Sequence, residues 1–275
     1  MYDTLKPDLI TATENQRNLM KIDPTYVVEK EMFLHNAFPY LEVRRPFILG
    51  TRENKWKATI AHRFFELLHT KTQKLTRIYT QNIDGLDHQC TKIPRDKIVN
   101  VHGTISDSSC EVCGTDVDFD DFCDKVKLSI KDLYGVDKDA PSASTPIHCE
   151  NCGRATVKPK TVLFGSSLPS EFFDCAEEDL PNVDLLIIAG TSLVVSPSNS
   201  LVYRANEDCM RMVVNIDMVG EELGINYGQN GRTRDYFAEG SCEDIFLQLI
   251  QHLGWKNDLK SISDLLPRSS AASFD

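Results

Sequence analysis

Asp184-Leu185-Leu186-Ile187-Ile188-Ala189-Gly190-Thr191-Ser192 reads as an apolar strand running without a polar break into a glycine turn and a pair of hydroxyls. A strand apolar at successive rather than alternate positions is covered on both faces, the condition of a parallel sheet layered by helices. Outward from it, Leu75-Thr76-Arg77-Ile78-Tyr79-Thr80, Ile98-Val99-Asn100-Val101, Thr161-Val162-Leu163-Phe164 and Met212-Val213-Val214-Asn215-Ile216 are short runs of the same kind, separated by helix-like stretches. The alternation predicts an α/β fold built on a Rossmann-like parallel sheet. Runs that end on Gln81-Asn82 and on His102-Gly103 look like strand ends opening onto a ligand, and Gly190-Thr191-Ser192 reads as a tight turn into a helix start.

Cys110-x-x-Cys113 and Cys149-x-x-Cys152 carry a different chemistry. Two thiolates two residues apart hold one metal ion from a single turn, and a second pair closes a tetrahedral zinc shell with no open position. Such a zinc is structural, so any reaction lies elsewhere. The other five cysteines, Cys90, Cys123, Cys175, Cys209 and Cys242, are scattered and follow no signal-peptide pattern, which reads as reduced thiols in a nuclear or cytoplasmic setting.

With 275 residues and 41% hydrophobic content, the chain can bury a sizeable core. A formal charge of −11 disfavours direct nucleic-acid binding and suits a basic peptide as partner. No apolar run approaches the roughly 20 residues of a membrane span. The expected organisation is a helical segment over residues 1–70, a Rossmann-like domain over 71–103 and 157–255, a zinc module over 104–156 and a tail over 256–275. Residues 137–145 read as an exposed loop, and 267–275 as a frayed end.

Taken in order, Tyr2-Asp3-Thr4-Leu5, residues 80–87, Val101-His102-Gly103, the two cysteine pairs, residues 157–169, residues 190–197, Asn215-Ile216-Asp217, residues 234–242 and Leu253-Gly254-Trp255 resemble the sirtuins. The similarity covers nearly the whole chain and is nearest to the nuclear and cytoplasmic deacetylase branch. It implies an NAD-dependent protein-lysine deacetylase, which moves the acyl group from lysine to ADP-ribose and releases nicotinamide. The resemblance makes His102 the general base, with Asn82 beside it in catalysis. Gln81, Asn82, Ile83 and Asp84 would hold the nicotinamide ribose and carboxamide. Gly190, Thr191 and Ser192 would meet phosphate or ribose, Asn215, Ile216 and Asp217 a ribose, and Cys242 the adenine. Substrate would pair as an extended acyl-lysine peptide with residues 162–166 and 194–197, engaging Val162, Leu163, Phe164, Gly165 and Val194, with the acyl-lysine in an apolar tunnel near Phe164. By residue type alone, His102 could be a core histidine, Asn82 and Asp84 could cap a helix, and Cys242 could be a small buried hydrophobe.

The chain departs from the sirtuin pattern in three places. Ser166 stands where the family has Glu, leaving peptide preference open. The spacer between Cys113 and Cys149 is long and reads as a surface insertion in the zinc module. The first glycine is Gly50, so neither the family's glycine-rich pyrophosphate turn nor its Pro-Asp-Phe-Arg loop occurs in these residues. A partial sequence is the expected reason, and weak NAD binding with little turnover the expected consequence. The alternatives are a catalytically impaired module that binds acyl-lysine or NAD, and a mono-ADP-ribosyltransferase.

Overall fold

The structure is a computed structural model, described over residues 5–228 and 234–271. Tyr2, Asp3 and Thr4 of the expected front motif lie outside the described residues. Along the chain the helices are α1 (Glu14–Ile22), α2 (Lys30–His35), α3 (Phe38–Arg52), α4 (Ile60–Thr72), α5 (Phe119–Ser129), α6 (Ser170–Asp179), α7 (Leu201–Arg204), α8 (Cys242–His252), α9 (Lys256–Lys260) and α10 (Arg268–Ala271). The strands are β1 (Ile78–Thr80), β2 (Ile98–Asn100), β3 (Gly103–Cys110), β4 (Asp116–Val117), β5 (Val157–Thr161), β6 (Leu185–Ala189), β7 (Met210–Asn215) and β8 (Asp235–Glu239). Several helix starts are written locally: Thr13 and Gln16 form a capping box on α1, Asp118 caps α5, and Ser241 caps α8.

Two compact units emerge. The first comprises Met1–Trp56, Asn82–Gly85 and His102–Leu168. Its sheet has the order β4-β3-β5 and is antiparallel throughout. The run 161–164, expected in the parallel sheet, therefore does not lie there: Val157–Thr161 pairs antiparallel with β3, and the chain leaves the strand at Val162. Phe33, Tyr40, Val43 and Ile48 from α2 and α3 pack with Phe122, Cys123, Val126 and Ile130, all at most 1% exposed. The Cys113–Cys149 spacer is thus part of this core through α5, not a surface insertion alone. Residues 137–145 do form a loop, yet it is fastened to α3. Arg45, buried, donates to Asp137 at 2.5 Å and to the Ile130 carbonyl at 2.8 Å, and the Ser144 hydroxyl donates to fully buried Glu42 at 2.6 Å.

The second unit comprises Lys57–Gln81, Leu86–Val101 and Pro169–Asp275. Its parallel strands fall into two sheets, β1-β2 and β6-β7-β8. One face of β6-β7-β8 is covered by α4, α8 and α9, where Phe64 and Phe246 lie 4.8 Å apart between ring centroids and Phe246, Ile250 and Leu259 are fully buried. Burying a side chain such as Phe246 contributes about 1.5–3 kcal/mol. This aromatic packing draws α4 out of the expected helical segment and makes residues 256–271 core rather than tail, with Leu266 buried and the Ser270 hydroxyl donating to Glu243 at 2.8 Å. Residues 272–275 lie outside the described residues. The opposite face carries Ile188, Val202, Val213 and Ile225.

Candidate functional site

In the second unit the carboxyl ends of β6, β7 and β8 stop side by side, each releasing a loop. The Gly190 N–H donates to the Val214 carbonyl at 3.0 Å, the Asn215 amide to the Thr191 carbonyl at 3.2 Å, and the Gly240 N–H to the Asn215 carbonyl at 3.0 Å. Gly190 has φ +61°, and a Cβ there would stand 3.2 Å from the Cys242 sulfur. That glycine is what lets the first turn of α8 approach the end of β6. Gly190, Thr191, Asn215 and Cys242 are thereby gathered into one patch, with Ser192, Ile216 and Asp217 exposed on its rim. Ligands of open parallel sheets bind at such strand ends. No helix begins at Ser192, contrary to expectation: the Thr191 hydroxyl accepts from the Leu193 N–H at 3.1 Å and the chain continues as a loop that carries exposed Val194. Burial raises the pKa of Cys242, which suits a small wall residue better than a reactive thiolate. Gln81 ends the polypeptide stretch that follows β1, at the junction with the first unit's segment Asn82–Gly85.

The first unit holds Asn82, Ile83, Asp84, His102 and residues 162–165. Asn82 and Asp84 are exposed on a loop. The Ile83 carbonyl accepts from Ile105 of β3 at 2.8 Å, and the His102 carbonyl accepts from the Val162 N–H at 2.8 Å. Strand β3 thus holds the polar loop at one point, while the His102 backbone meets the start of the 162–165 segment. Between them sits Gly103, at φ +73°, whose added Cβ would meet the Lys160 carbonyl oxygen at 1.8 Å. Only glycine fits that turn. Phe164 exchanges both backbone groups with residues 28–30: its N–H donates to the Val28 carbonyl at 3.0 Å and its carbonyl accepts from Lys30 at 2.9 Å. Phe164 thus uses its backbone groups on the side of residues 28–30. Gly165, in open space at φ +83°, and the exposed Phe164 ring are what the segment presents outward.

The four sulfurs of Cys110, Cys113, Cys149 and Cys152 lie within 4.8 Å of one another. Cys110 and Cys152 are 3.6 Å apart and Cys113 and Cys149 3.7 Å. Zinc–sulfur bonds of about 2.3 Å at tetrahedral angles require about 3.8 Å between sulfurs, so the donor set fits one zinc ion. One of its thiols is already placed for ionisation. The Thr115 hydroxyl first, then the Thr115 backbone and the Asn151 amide, bring Cys113 down to about 5. By contrast burial pushes Cys90 and Cys123 up to about 12, leaving them inert.

Residues 12–197 match the Sir2 family. The chain belongs to that family. It is 33% identical over 238 residues to the NAD-dependent deacetylase sir2A of Dictyostelium discoideum, covering 86% of this chain and 43% of the relative. It is 30% identical over 260 residues to the NAD-dependent protein deacetylase sirtuin-2 of Danio rerio, covering 89% and 63%, and 32% identical over 259 residues to the NAD-dependent protein deacetylase hst2-2 of Emericella nidulans, covering 93% and 66%. This sirtuin chain therefore spans about half to two-thirds of the length of these relatives.

A group that the residue pattern did not single out underlies the 162–165 segment of this sirtuin. Lys158 is 3% exposed, and its ammonium donates to the Thr161 carbonyl at 2.6 Å and the Pro159 carbonyl at 3.1 Å while pairing with Glu111 at 3.1 Å. Burial holds its pKa below the ordinary lysine range, and Glu111 opposes that shift. The available signal is a lysine inside the otherwise apolar start of β5, Val157-Lys158-Pro159. Among the described residues no helix is long and apolar enough to cross a membrane.

Proposed function

We propose that this sirtuin is an NAD-dependent protein-lysine deacetylase, acting on an acyl-lysine peptide and working in the nucleus or cytoplasm. The observation that carries the reading is the Sir2 family match over residues 12–197, joined to relatives named as NAD-dependent deacetylases. NAD, when bound, supplies an electrophilic ribose carbon and nicotinamide as its leaving group. The strand-end patch of Gly190, Thr191, Asn215 and Cys242 suits ribose and adenine, with Ser192, Ile216 and Asp217 at its edge. Gln81, Asn82, Ile83 and Asp84 offer amide donors, backbone groups and a carboxylate to the nicotinamide half. His102 takes the proton of a ribose hydroxyl at a ring nitrogen, which turns a poor nucleophile into a good one. In the first unit the peptide backbone pairs at Gly165, beside Val162, Leu163 and Phe164; in the second, Val194 is the residue assigned to the peptide; the zinc cluster only holds the module that carries the first set.

The test is nicotinamide release from NAD in the presence of an acetyl-lysine peptide, followed with the loss of the acetyl group by mass spectrometry. With the family's glycine-rich front joined N-terminally, we expect both products in equal amounts, and a fall of about 10²-fold in rate for His102→Ala, the scale of a lost general base. Deacetylation at the parental rate by the variant would remove His102 from the chemistry. Transfer of ADP-ribose to protein without deacetylation would overturn the reaction assigned.

A further inference from the structure

The 162–165 segment is held from one side by an ionic cluster, buried at Lys158 and open at Lys30, whose members lie far apart in sequence. Its first anchor is the Thr161 carbonyl, gripped by the Lys158 ammonium at 2.6 Å. Beside it, the Thr161 hydroxyl shares a 2.6 Å bond with the buried Tyr40 hydroxyl. Its second anchor is Phe164, bonded through N–H and carbonyl to Val28 and Lys30. Both anchors converge on one carboxylate: Glu111 Oε2 lies 3.1 Å from Lys158 Nζ and Glu111 Oε1 3.5 Å from Lys30 Nζ. Glu111 itself is fixed, since its N–H donates to the Thr156 carbonyl at 2.9 Å.

An ammonium has three protons to place, and Lys158 places all of them, on two carbonyls and one carboxylate. A lysine only 3% exposed is costly to keep unless such a set is complete. For core stability alone, an apolar side chain of similar length would serve as well or better. What the lysine does that methionine or leucine could not is grip a main-chain carbonyl at the step where β5 becomes the outward-facing segment. The register of β3 on β5 shifts between Gly103 and Ser108, so the Gly103–Thr161 pair is cut off from the continuous ladder at residues 108–110, and the lysine supports the isolated end.

We propose that Lys158 and Glu111 are positioning residues for the acyl-lysine peptide. They form a clamp that sets the backbone of residues 161–165 so that Gly165 and Phe164 meet substrate in one conformation. The inference rests on the reading of residues 162–165 as the peptide-pairing segment. It touches neither the strand-end patch assigned to NAD nor the proton transfer at His102.

The experiment compares the parent with Lys158→Met, Glu111→Gln and the conservative Lys158→Arg. Three quantities are read: the Kd of a fluorescein-labelled acetyl-lysine peptide by anisotropy, amide hydrogen exchange at Val162 and Phe164, and zinc per chain. Lys158→Met and Glu111→Gln should each weaken the peptide by about tenfold and speed exchange at the two amides by a similar factor, as expected when a supporting contact lets a site drift by a fraction of an ångström. Zinc should remain at one per chain, and Lys158→Arg should recover peptide affinity to within about twofold of the parent. Should Lys158→Met fail to fold, Glu111→Gln, which leaves both carbonyl bonds of Lys158 in place, carries the test. Parental peptide affinity and parental exchange in both variants would overturn the clamp while leaving the peptide reading intact. A parent that binds no acetyl-lysine peptide would overturn that reading, and the positioning role with it.

Discussion

Strand β3 meets β5 at four paired positions, Gly103 with Thr161 and residues 108–110 with 159–157, with a break between them, whereas β7 is paired at five consecutive positions on each side. The two sheets also differ in what surrounds them. Around β3 the buried side chains include Glu42, Arg45, Ser108, Thr156, Lys158 and Thr161, and four thiols close one end. On the faces of β6-β7-β8 they are chiefly Val213, Val214, Ile188, Ala238, Phe246 and Ile250, with Arg211 and Asp235 the buried charges of the strands themselves. The first unit has apolar area of its own, since Phe33, Tyr40, Phe122 and Ile130 are buried among α2, α3 and α5; what the short, interrupted sheet has and β6-β7-β8, among the described residues, lacks is a set of metal ligands at one end. Order at that end of β3 and β5 therefore depends on a few contacts.

Removing the metal should separate the two sheets most sharply. A structural zinc contributes apparent binding energy of about 10–16 kcal/mol at neutral pH, more than a domain of this size has to spare. Cys149→Ala should therefore yield protein without zinc that has lost amide protection across β3, β4 and β5. Strands β6, β7 and β8 should keep theirs. Hydrogen exchange beside metal analysis decides it, and a zinc-free preparation with a protected β3 would remove the metal from the account.

The second effect strikes a buried charge pair of β6-β7-β8. Arg211 grips both Asp235 oxygens, at 2.5 and 2.6 Å, and reaches the Val202 and Gly224 carbonyls at 3.1 and 2.8 Å. Burial would raise the pKa of Asp235, but the Arg211 fork and the Asn226 N–H outweigh it and hold the carboxyl below its ordinary 3.8. With a native pKa lower than the unfolded one, the stabilisation is complete above 3.8 and is lost as pH falls through the native value. Asp235→Asn leaves Arg211 buried without its counter-charge and should cost about 3–5 kcal/mol at pH 7, read as a lower urea midpoint. The variant should also lose part of the parent's fall in stability below about pH 4. A midpoint shift worth under about 1 kcal/mol would mean that the pair is replaceable by neutral hydrogen bonds.

The same contrast explains what can be read in the sequence. Leu185 to Ala189 declares a strand of the parallel sheet because every residue needed for that inference is local, and cysteine spacing declares the metal for the same reason; that β6 lies at the sheet edge, with Leu185 52% exposed and Ile188 alone buried, is not local information. His102-Gly103 at a strand end and Asn215-Ile216-Asp217 after β7 can be placed from their neighbours. The antiparallel partner of β5 cannot, since β3 reads Gly-Thr-Ile-Ser-Asp-Ser-Ser-Cys, with no alternation to mark it as a strand. The clamp is equally hidden, because Lys30, Glu111 and Lys158 acquire meaning only when brought together. Residues 256–271 look like a tail because Leu259 and Leu266 are isolated in a polar stretch, yet both are buried against α4 and α8. Ser192 looks like a helix start because a Gly-Thr-Ser turn after a strand usually is one, and here the Thr191 hydroxyl spends itself on Leu193 instead.

A finer distinction, with a smaller effect, lies within the first unit, between two glycines that share a backbone conformation. Gly103 and Gly165 lie at φ +73° and +83°. Alanine at either position costs about 1–2 kcal/mol for entering the left-handed region. At Gly103 the new methyl would also meet the Lys160 carbonyl oxygen at 1.8 Å. Backbone rather than a flexible side chain would have to move there, adding about 1–3 kcal/mol. At Gly165 nothing lies within 4 Å. Gly103→Ala should therefore lower the urea midpoint by about two to three times as much as Gly165→Ala, on the order of 2–5 kcal/mol against about 1–2 kcal/mol. It should also speed amide exchange at Val162, whose N–H is held by the His102 carbonyl, while Gly165→Ala leaves that amide protected. Equal midpoints for the two variants would mean that β5 gives way at Lys160 without cost. The break in the β3–β5 register would then be slack rather than a fixed turn, and His102 would have to be held by something other than the close approach at Gly103.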